Sequence, residues 1–299
     1  MTQHYRWDAL TREHVAAWAE LVNHLATLDG TEEFYSVEDL AEEFDSPGFD
    51  PHQDSFGVWA GQELVGFGQV WVSGNVDEHG QVRCWLNGGV HGDHRGRGLG
   101  RRLMDRLEAR AAEAAAERHP GAGFFWQVSG GRPGSSAEQM FTSRGYEVVR
   151  YFNMLTRPVS APLPVPPEVP GVRFRPAEPS DSGEVRDAHR IAFADHWGTI
   201  PATDEAWIQQ WNAASHRLPM STVAVDHQGT VLSYVLCGQW VDRELYVNSV
   251  GTRPEYRGRG LAQATLLHTL HRAAHSGAYD VVDLEVDSHS PTGATRLYE

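Results

Sequence analysis

The chain has 299 residues, enough for two domains, and an ordinary hydrophobic content of 40%. Its formal net charge is −15 and all its basic side chains other than His are Arg, which excludes a Lys-dependent phosphate loop and Schiff-base chemistry on Lys. An acidic chain without a basic run is a poor ligand for nucleic acid and favours small cationic partners. No window approaches the ~18 apolar residues of a membrane span, and the first residues lack a signal-peptide pattern, so we expect a cytoplasmic protein without a membrane segment.

The first half alternates predicted strands and helices in a definite order. Short apolar runs predict strands, amphipathic stretches predict helices, and two strand-like runs around a Gly-containing turn predict a hairpin. In chain order the elements are a strand at 5–10, a helix at 11–25, a hairpin at 55–72, a strand at 82–90, a helix at 99–118 and a strand at 123–128.

A proline-rich stretch at 158–171 predicts an extended linker, because proline disfavours both helices and sheet pairing. After it the same order of elements returns, and this repetition predicts a duplicated α/β domain with halves at 1–157 and 172–299. The repeated elements are a strand at 172–177, a helix at 180–193, a hairpin at 221–240, a strand at 244–252, a helix at 261–276 and a strand at 281–286.

Both halves contain a Gly–Arg turn between a strand and a long helix, HRGRGLGRR in the first and YRGRGLAQA in the second. The first N–H groups of a helix have no partner within the helix, and with the helix dipole they attract anions. Arg side chains at the rim add charge-assisted donors. The dinucleotide fingerprint G-x-G-x-x-G fails on spacing, since Gly96, Gly98 and Gly100 alternate. A purely structural tight turn is the alternative, but it does not require Arg at matching offsets.

The two motifs, R-x-x-G-x-G and R-x-x-G-x-A, resemble the pyrophosphate loop of the GCN5-related N-acetyltransferase (GNAT) family. The resemblance covers nearly the whole chain, and the tandem arrangement is most similar to the mycothiol-synthase-like branch. It implies two tandem α/β domains with mixed sheets, in which acyl-CoA lies where two parallel strands splay apart. The CoA contacts that it implies are Val250, Gly251, Thr252, Arg257, Gly258, Arg259, Gly260, Leu261 and Ala262 in the second half, and Val90, Arg95, Gly96, Arg97, Gly98, Leu99 and Gly100 in the first.

By the same resemblance the chain is an N-acetyltransferase that moves the acetyl group of acetyl-CoA to a small-molecule primary amine by direct attack. We expect it to act as a monomer or a homodimer. Three alternatives stay open: a mycothiol-synthase activity on a cysteinyl pseudodisaccharide, N-acetylation of proteins, and a CoA-binding regulatory protein without turnover.

The resemblance also indicates which half is catalytic. The family's general acid is often a Tyr in a helix near the end of the domain, and Tyr298 occupies this position in the second half, whereas Phe141 occupies it in the first and carries no proton to donate. For the base, the family register points to Tyr246, and Glu244 lies one pleat away on the same strand face. Glu244 is alternatively a solvated residue at a strand start. Ser290 stands where many relatives have an Asn that contacts CoA.

The stretch at 192–211 is the expected acceptor pocket, because the first helical region usually forms it in this family. A charged and aromatic cluster there suits a cationic, ring-bearing acceptor. Core packing of the tryptophans and local packing of the histidine are the alternatives. The cluster comprises Asp195, His196, Trp197 and Trp207.

Two further patterns complete the sequence-based expectations. His268, His271 and His275 share a helix face, which we interpret as a solvated face and not as a metal site. The second half stops at Glu299, before a counterpart of the strand that ends the first half. We expect the protein to continue beyond this residue, because loss of that strand would expose a sheet edge; a cleaved or degenerate tail is the alternative.

Overall fold

In a computed structural model of the chain, the strands form two sheets that repeat the same strand order. The structure describes residues 4–31, 33–289 and 297. The chain divides into unit 1, residues 1–148 with 200–209, and unit 2, residues 149–199 with 210–299. Each unit holds one sheet that combines antiparallel neighbours with a parallel pair. The predicted α/β class with mixed sheets is confirmed.

Unit 1 is built on a five-stranded sheet of order β1-β2-β3-β4-β5, in which β4 and β5 are parallel. Its elements are β1 (Arg6–Asp8), α1 (Val15–Asp29), α2 (Val37–Glu43), α3 (Pro51–Asp54), β2 (Ser55–Ala60), β3 (Glu63–Val72), β4 (Gln81–Val90), α4 (Leu99–Arg118), β5 (Gly123–Gln127) and α5 (Ser136–Ser143).

Unit 2 is built on a six-stranded sheet of order β6-β11-β10-β9-β8-β7, in which β10 and β11 are parallel. Its elements are β6 (Phe152–Pro158), β7 (Arg173–Pro176), α6 (Ser182–Ala192), the end of α7 (Asp204–Asn212), β8 (Thr222–Val225), β9 (Val231–Gly238), β10 (Glu244–Thr252), α8 (Leu261–Ser276) and β11 (Val281–Asp287).

The long helices α4 and α8 occupy the stretches that the sequence predicts for them, 99–118 and 261–276. Each follows a glycine in the left-handed region, Gly98 at φ 80° and Gly260 at φ 76°, where a side chain would be strained. Each buries one stripe against its sheet, with Leu103 and Leu107 in α4 and Leu261 in α8 at most 3% exposed. None of the helices among the described residues is long and apolar enough to cross a membrane.

Strand β6 is the strand that ends the first half in sequence, but it pairs with β11 of the second sheet along the whole of β11. The edge of β11 that we expected to be exposed is therefore covered, because β6 satisfies its backbone hydrogen-bonding groups. Residues 200–209 belong to unit 1 although they follow the linker. Gln209 Nε2 donates to Glu42 O at 3.0 Å, and Asn75 Nδ2 donates to Pro201 O at 2.8 Å.

The parallel strands β10 and β11 separate soon after they begin. They pair only from Glu244–Val281 to Tyr246–Asp283, and both then continue, to Thr252 and to Asp287. Where they part, β10 also has a bulge, since its register with β9 shifts between Val247 and Ser249. A bulge bends its strand and increases the local twist, so it turns β10 away from β11. A V-shaped gap between two strands results.

Candidate functional site

The gap between β10 and β11 forms a cavity of about 500 Å³ within unit 2. One wall is the second half of β10, and the facing wall is the end of β11. The loop before α8 closes one side, and residues that follow α6 contribute to the lining. The volume lies in the range of small-molecule and cofactor sites.

The loop beside the cavity presents bare backbone. Gly258 (φ 75°) and Gly260 (φ 76°) both adopt the left-handed conformation, and a Cβ atom on either would face open space. Gly260 caps α8 and offers no side chain to its first turn, so the N–H groups at the start of the helix point outward without a capping partner. Alternating left-handed glycines at a helix start form a concave, positively polarised surface that suits an anion.

The arginine that opens the loop is bound within the chain. Arg257 Nη1 donates to Asp195 Oδ2 at 2.8 Å and Nη2 donates to Ala192 O at 2.7 Å. The hydrogen bond from Arg257 lowers the pKa of Asp195, and Asp195 in turn raises the pKa of Arg257. Arg259 lies with its guanidinium 5.2 Å from the centre of the Tyr256 ring. Arg257 therefore anchors the loop to the end of α6, and the loop faces an anion mainly with its backbone.

A buried tyrosine packs behind the cavity wall at Gly251. Tyr234 on β9 is 0% exposed, and its hydroxyl shares a hydrogen bond of 2.7 Å with His189 Nδ1. A Cβ atom on Gly251 would lie 2.4 Å from the Tyr234 ring, so only glycine fits at this point of β10. Burial lowers the pKa of His189 to about 4, with a smaller effect from His196, and burial raises the pKa of Tyr234.

The loop of the first half has the same geometry. Arg95 binds Asp29 at the end of α1 through both Nη atoms, at 2.7 and 2.6 Å, and its Nε donates to Val90 O at 2.9 Å. Gly96 (φ 73°) and Gly98 (φ 80°) repeat the left-handed pair and also face open space. Arg97 donates to Tyr5 Oη at 3.1 Å and to Asp93 O at 2.9 Å.

The strands beside the two loops differ. The register of β3 with β4 runs unshifted from Gly66–Val90 to Val72–Cys84, whereas β10 has its bulge. Strands β4 and β5 also stay paired longer, from Gln81–Gly123 to Trp85–Gln127. Phe67 stands opposite Gly89 as Tyr234 stands opposite Gly251, so the hydroxyl under the second site has no counterpart in the first. The duplicated loops are thus alike and the duplicated gaps are not.

The structure brings together part of the predicted site. The cavity is lined by Asp195 and His196, by the strand end 250–252, and by the loop residues Arg257, Gly258 and 260–262. In the first half, Val90 ends β4, and Leu99 with Gly100 opens α4 behind the corresponding loop. Ser290 and Tyr298 lie outside the described residues.

Other predicted residues do not line the cavity among the part of the chain described. Glu244 and Tyr246 lie on β10 where it is still paired with β11, and Tyr246 packs edge-on against Trp240, with ring centres 5.7 Å apart. Trp207 belongs to unit 1 and is 7% exposed, as expected for core packing. Trp197 is 41% exposed and stacks under Arg150 at 4.5 Å.

Sequence reasoning missed the contribution of β11. Glu285 and Asp287 line the cavity, and Asn248, at the bulge, lines it from the opposite strand. The alternation in VVDLEVD was a usable signal, since Val282, Leu284 and Val286 are buried and the acidic residues between them share the other face. Partial burial at the cavity wall raises the pKa of Glu285.

The predicted histidine face on α8 is less solvated than expected. His268 stacks on Phe174, with ring centres 4.5 Å apart, and burial lowers its pKa. His271 Nε2 is 2.9 Å from Pro164 O, and His275 is exposed. Two of the three rings thus pack against other parts of unit 2, because β7 and the proline-rich stretch lie over this side of the helix.

Comparison with known proteins decides the family. The family model described as "Acetyltransferase (GNAT) family" matches residues 12–121 and 183–299. The chain belongs to the GNAT family. It is therefore an acyltransferase, and the resemblance found in its sequence is confirmed.

Several known proteins are similar to most of the chain. The chain is 31% identical over 260 residues to a mycothiol acetyltransferase of Thermobispora bispora, covering 81% of this chain and 77% of the relative. A GCN5-related N-acetyltransferase from Sphaerobacter thermophilus is similar in structure, with a TM-score of 0.73, 25% identity and coverage of 98% and 90%. A tandem GNAT protein from the clavulanic acid biosynthesis pathway has the same fold, with a TM-score of 0.68, 15% identity and coverage of 99% and 94%.

Because His189 is partly buried in its neutral form, we predict that the stability of the protein depends on pH. Its pKa in the folded protein is below the ordinary value of 6.5, so between about pH 6.5 and pH 4 the unfolded chain binds the proton more readily. The contribution of His189 is complete above this window and falls as the pH decreases through it, by about 3 kcal/mol in all. Thermal unfolding followed between pH 4 and 7 measures the loss.

His189→Gln should lack this pH-dependent contribution to the free energy of unfolding, so the difference in stability between wild type and variant shrinks as the pH falls. His227→Gln, at an exposed position in the turn between β8 and β9, is the control and should follow the wild-type pH dependence. A difference between wild type and His189→Gln that stays constant across the window would contradict burial of a neutral His189.

Proposed function

We propose that unit 2 transfers the acetyl group of acetyl-CoA to a small-molecule primary amine. The observation that carries the proposal is the cavity between β10 and β11, which runs up to the bare glycine loop at the start of α8. Family membership supplies the reaction class, and the negative charge of the chain favours a cationic acceptor.

The residues present fit a CoA ester. The N–H groups at the start of α8 and the open space at Gly258 and Gly260 suit the pyrophosphate. Beyond Tyr246 the backbone groups of β10 and β11 no longer pair with one another. In line with the family resemblance, the backbone groups of residues 250–252 suit the amides of pantetheine and the thioester oxygen. Acetyl-CoA would supply an activated acyl carbon, and Glu285 would line the space from which an amine attacks it.

Proton transfer needs a base for the amine and an acid for the leaving thiolate. We assign the base to Glu285 in place of Glu244 or Tyr246, because Glu285 lines the cavity and partial burial raises its pKa towards the range useful for catalysis. For the acid we retain Tyr298 on the ground of its position in the sequence. The amine nitrogen then attacks the acetyl carbon and loses a proton to Glu285, the carbon–sulfur bond breaks, and Tyr298 protonates the CoA thiolate.

We divide the chain into two domains, 1–157 and 172–299, and propose that the first is a degenerate copy of the second. Its loop is intact, but its strands separate later, β4 has no shift opposite β3, and Phe141 replaces the acid. Phe141 packs against Tyr146, with ring centres 5.6 Å apart. The first half therefore serves as a scaffold or a second CoA site without turnover, in a cytoplasmic monomer or homodimer.

A mycothiol-synthase activity is the second candidate function, favoured by the similarity to mycothiol acetyltransferases. It shares the donor site and differs only in the acceptor. Release of free thiol from acetyl-CoA, measured against a panel of aminosugars, polyamines, peptides and the cysteinyl pseudodisaccharide, separates the two. Tight CoA binding without release for any amine would instead indicate a regulatory protein.

Equivalent loop substitutions test which half is catalytic. Gly260→Val places a β-branched residue at φ 76°, and the strain shifts the loop N–H groups. We expect kcat/KM for acetyl-CoA to fall about 10-fold or more in the thiol-release assay. Gly98→Val introduces the same strain at φ 80° in the first half and should leave turnover at the wild-type rate. Equal losses in both variants would argue against a single catalytic half.

Two glutamates on one sheet face separate the candidate bases. Glu285→Gln should lower kcat by about 10²-fold and remove the acidic limb of the pH–rate profile, since Gln accepts no proton. Glu244→Gln, on the neighbouring strand before the splay, should keep that limb. The assignment is wrong if the limb persists in Glu285→Gln and disappears in Glu244→Gln.

The proposed acid is tested at Tyr298. Tyr298→Phe removes the proton donor and should lower kcat by about 10²-fold while leaving CoA affinity, measured by calorimetry, unchanged. A variant with unimpaired turnover would exclude Tyr298 as the acid.

A further inference from the structure

The outer face of β6 carries apolar side chains, although β6 is the last strand of its sheet among the described residues. Leu155 packs against the core of unit 2, whereas its neighbours on the opposite face, Phe152 and Met154, are 53% and 43% exposed. Solvent-facing positions of an edge strand ordinarily carry polar or charged side chains, because exposed apolar ones promote association. These two side chains, which we call the apolar shelf, therefore need an explanation.

The apolar shelf lies directly beside the acidic wall of the cavity. In the register of β6 with β11, Met154 stands opposite Glu285. Phe152 stands opposite Asp287 in the same register. Side chains opposite each other in antiparallel strands share one face of the sheet, with their Cβ atoms about 5 Å apart. Glu285 lines the cavity and is itself exposed, so an acceptor that reaches Glu285 is within contact distance of Met154.

The charges beside the shelf distinguish the two carboxylates of the cavity wall. Asp287 Oδ2 lies 3.7 Å from Arg150 Nε, so Arg150 balances the charge of Asp287. Glu285 is left as the carboxylate that attracts an amine or ammonium group. Trp197 is 41% exposed and stacks on Arg150 at 4.5 Å, which places a third apolar side chain near Asp287. Charge at Glu285 and apolar surface at the shelf together suit an amine with an apolar body.

We propose that the apolar shelf binds the body of the acceptor, so that the enzyme prefers primary amines that carry an aromatic ring over small hydrophilic amines. The inference rests on the proposed transfer to an amine and names the class of acceptor. With the nitrogen at Glu285, a ring on a short spacer lies over Met154, and Phe152 follows two residues, about 7 Å, along β6. Met adapts its shape to a ring and Phe stacks on one. The shelf binds the acceptor and takes no part in proton transfer.

The shelf also gives the first half a part in the reaction of the second. Strand β6 ends the first half in sequence, but it lies in unit 2 and in the sheet of the proposed catalytic site. The donor site is built from β10, β11 and the loop before α8, whereas the shelf comes from β6. Selection of the acceptor therefore depends on residues that precede the linker.

The test compares 2-phenylethylamine with ethanolamine, two primary amines in which a phenyl ring and a hydroxyl group occupy the same position on the ethyl chain. In the thiol-release assay the wild type should favour 2-phenylethylamine in kcat/KM by about 10-fold or more, mainly through KM, because the ring leaves water when it binds. Phe152→Ala and Met154→Gln should each lower this ratio at least about 3-fold. Both positions are exposed, so neither substitution should impair folding.

Phe124→Ala is the matched control. Phe124 is also an exposed Phe on a strand at the edge of a sheet in the described part of the chain, but it lies on β5 in unit 1. This variant should keep the wild-type ratio. If the wild type does not prefer 2-phenylethylamine, or if Phe152→Ala and Phe124→Ala change the ratio alike, the shelf does not bind the acceptor. A dimer that dissociates in Phe152→Ala while the ratio stays unchanged would show that this face binds a second copy of the chain, and would overturn the proposal.

A separate readout distinguishes failure of the shelf from failure of the proposed function. If no amine releases thiol, 2-phenylethylamine is titrated calorimetrically into the enzyme saturated with CoA. Binding to the wild type that is weakened about 3-fold or more in Phe152→Ala supports the shelf even though transfer fails. Absence of 2-phenylethylamine binding to the wild type overturns the shelf.

Discussion

The early separation of β10 from β11 is the constraint on which the site depends. Neighbouring strands ordinarily keep their backbone groups paired, because an unpaired buried N–H or C=O group is costly. Here pairing ends at Tyr246–Asp283, and the bulge between Val247 and Ser249 turns β10 away. The backbone groups released by this separation are also the ones that can receive an extended ligand rich in amides. The cavity thus forms where β10 and β11 stop pairing, while β11 stays paired with β6 along its other edge.

The geometry shared by the two loops shows what the Gly–Arg motif does locally. In each half the first Arg binds an Asp at or just after the end of that half's first helix, Asp29 for α1 or Asp195 for α6, and so ties that helix to the loop. This tether explains why Arg recurs at the same offset whether or not the neighbouring strand has a bulge. The motif therefore identifies the fold, whereas the strand geometry beside it distinguishes the two copies.

Much of the fold was predictable because its signals are local. The helices at 99–118 and 261–276 were predicted in full, since a left-handed glycine marks each start and an amphipathic pattern runs to each end. Strand pairing was harder, because it depends on residues far apart in sequence. The pattern of β6 reveals a strand but not that its partner is β11, and no sequence feature places 200–209 in unit 1.

The site divides in the same way. The loop and the end of β10 were predicted from the motif, whereas the place of Glu285 and Asp287 in the cavity wall follows from the separation of β10 from β11. The bulge in β10 marks this separation, and the sequence around Asn248 carries no distinctive bulge signal. A residue such as Trp207 could not be separated from a pocket residue, since large aromatic side chains fill cores and line pockets alike.

The distribution of charge along the cavity fits the proposed pairing of an anionic donor with a cationic acceptor. Arg257 is neutralised by Asp195, so the positive end of the cavity consists mainly of the helix start and the loop backbone, with partial charges that do not depend on side chains. At β11 the lining contains two carboxylates, Glu285 and Asp287, of which Asp287 forms an ion pair with Arg150. This polarity, from the helix start to β11, is what the proposed transfer from a phosphate-bearing donor to an amine requires.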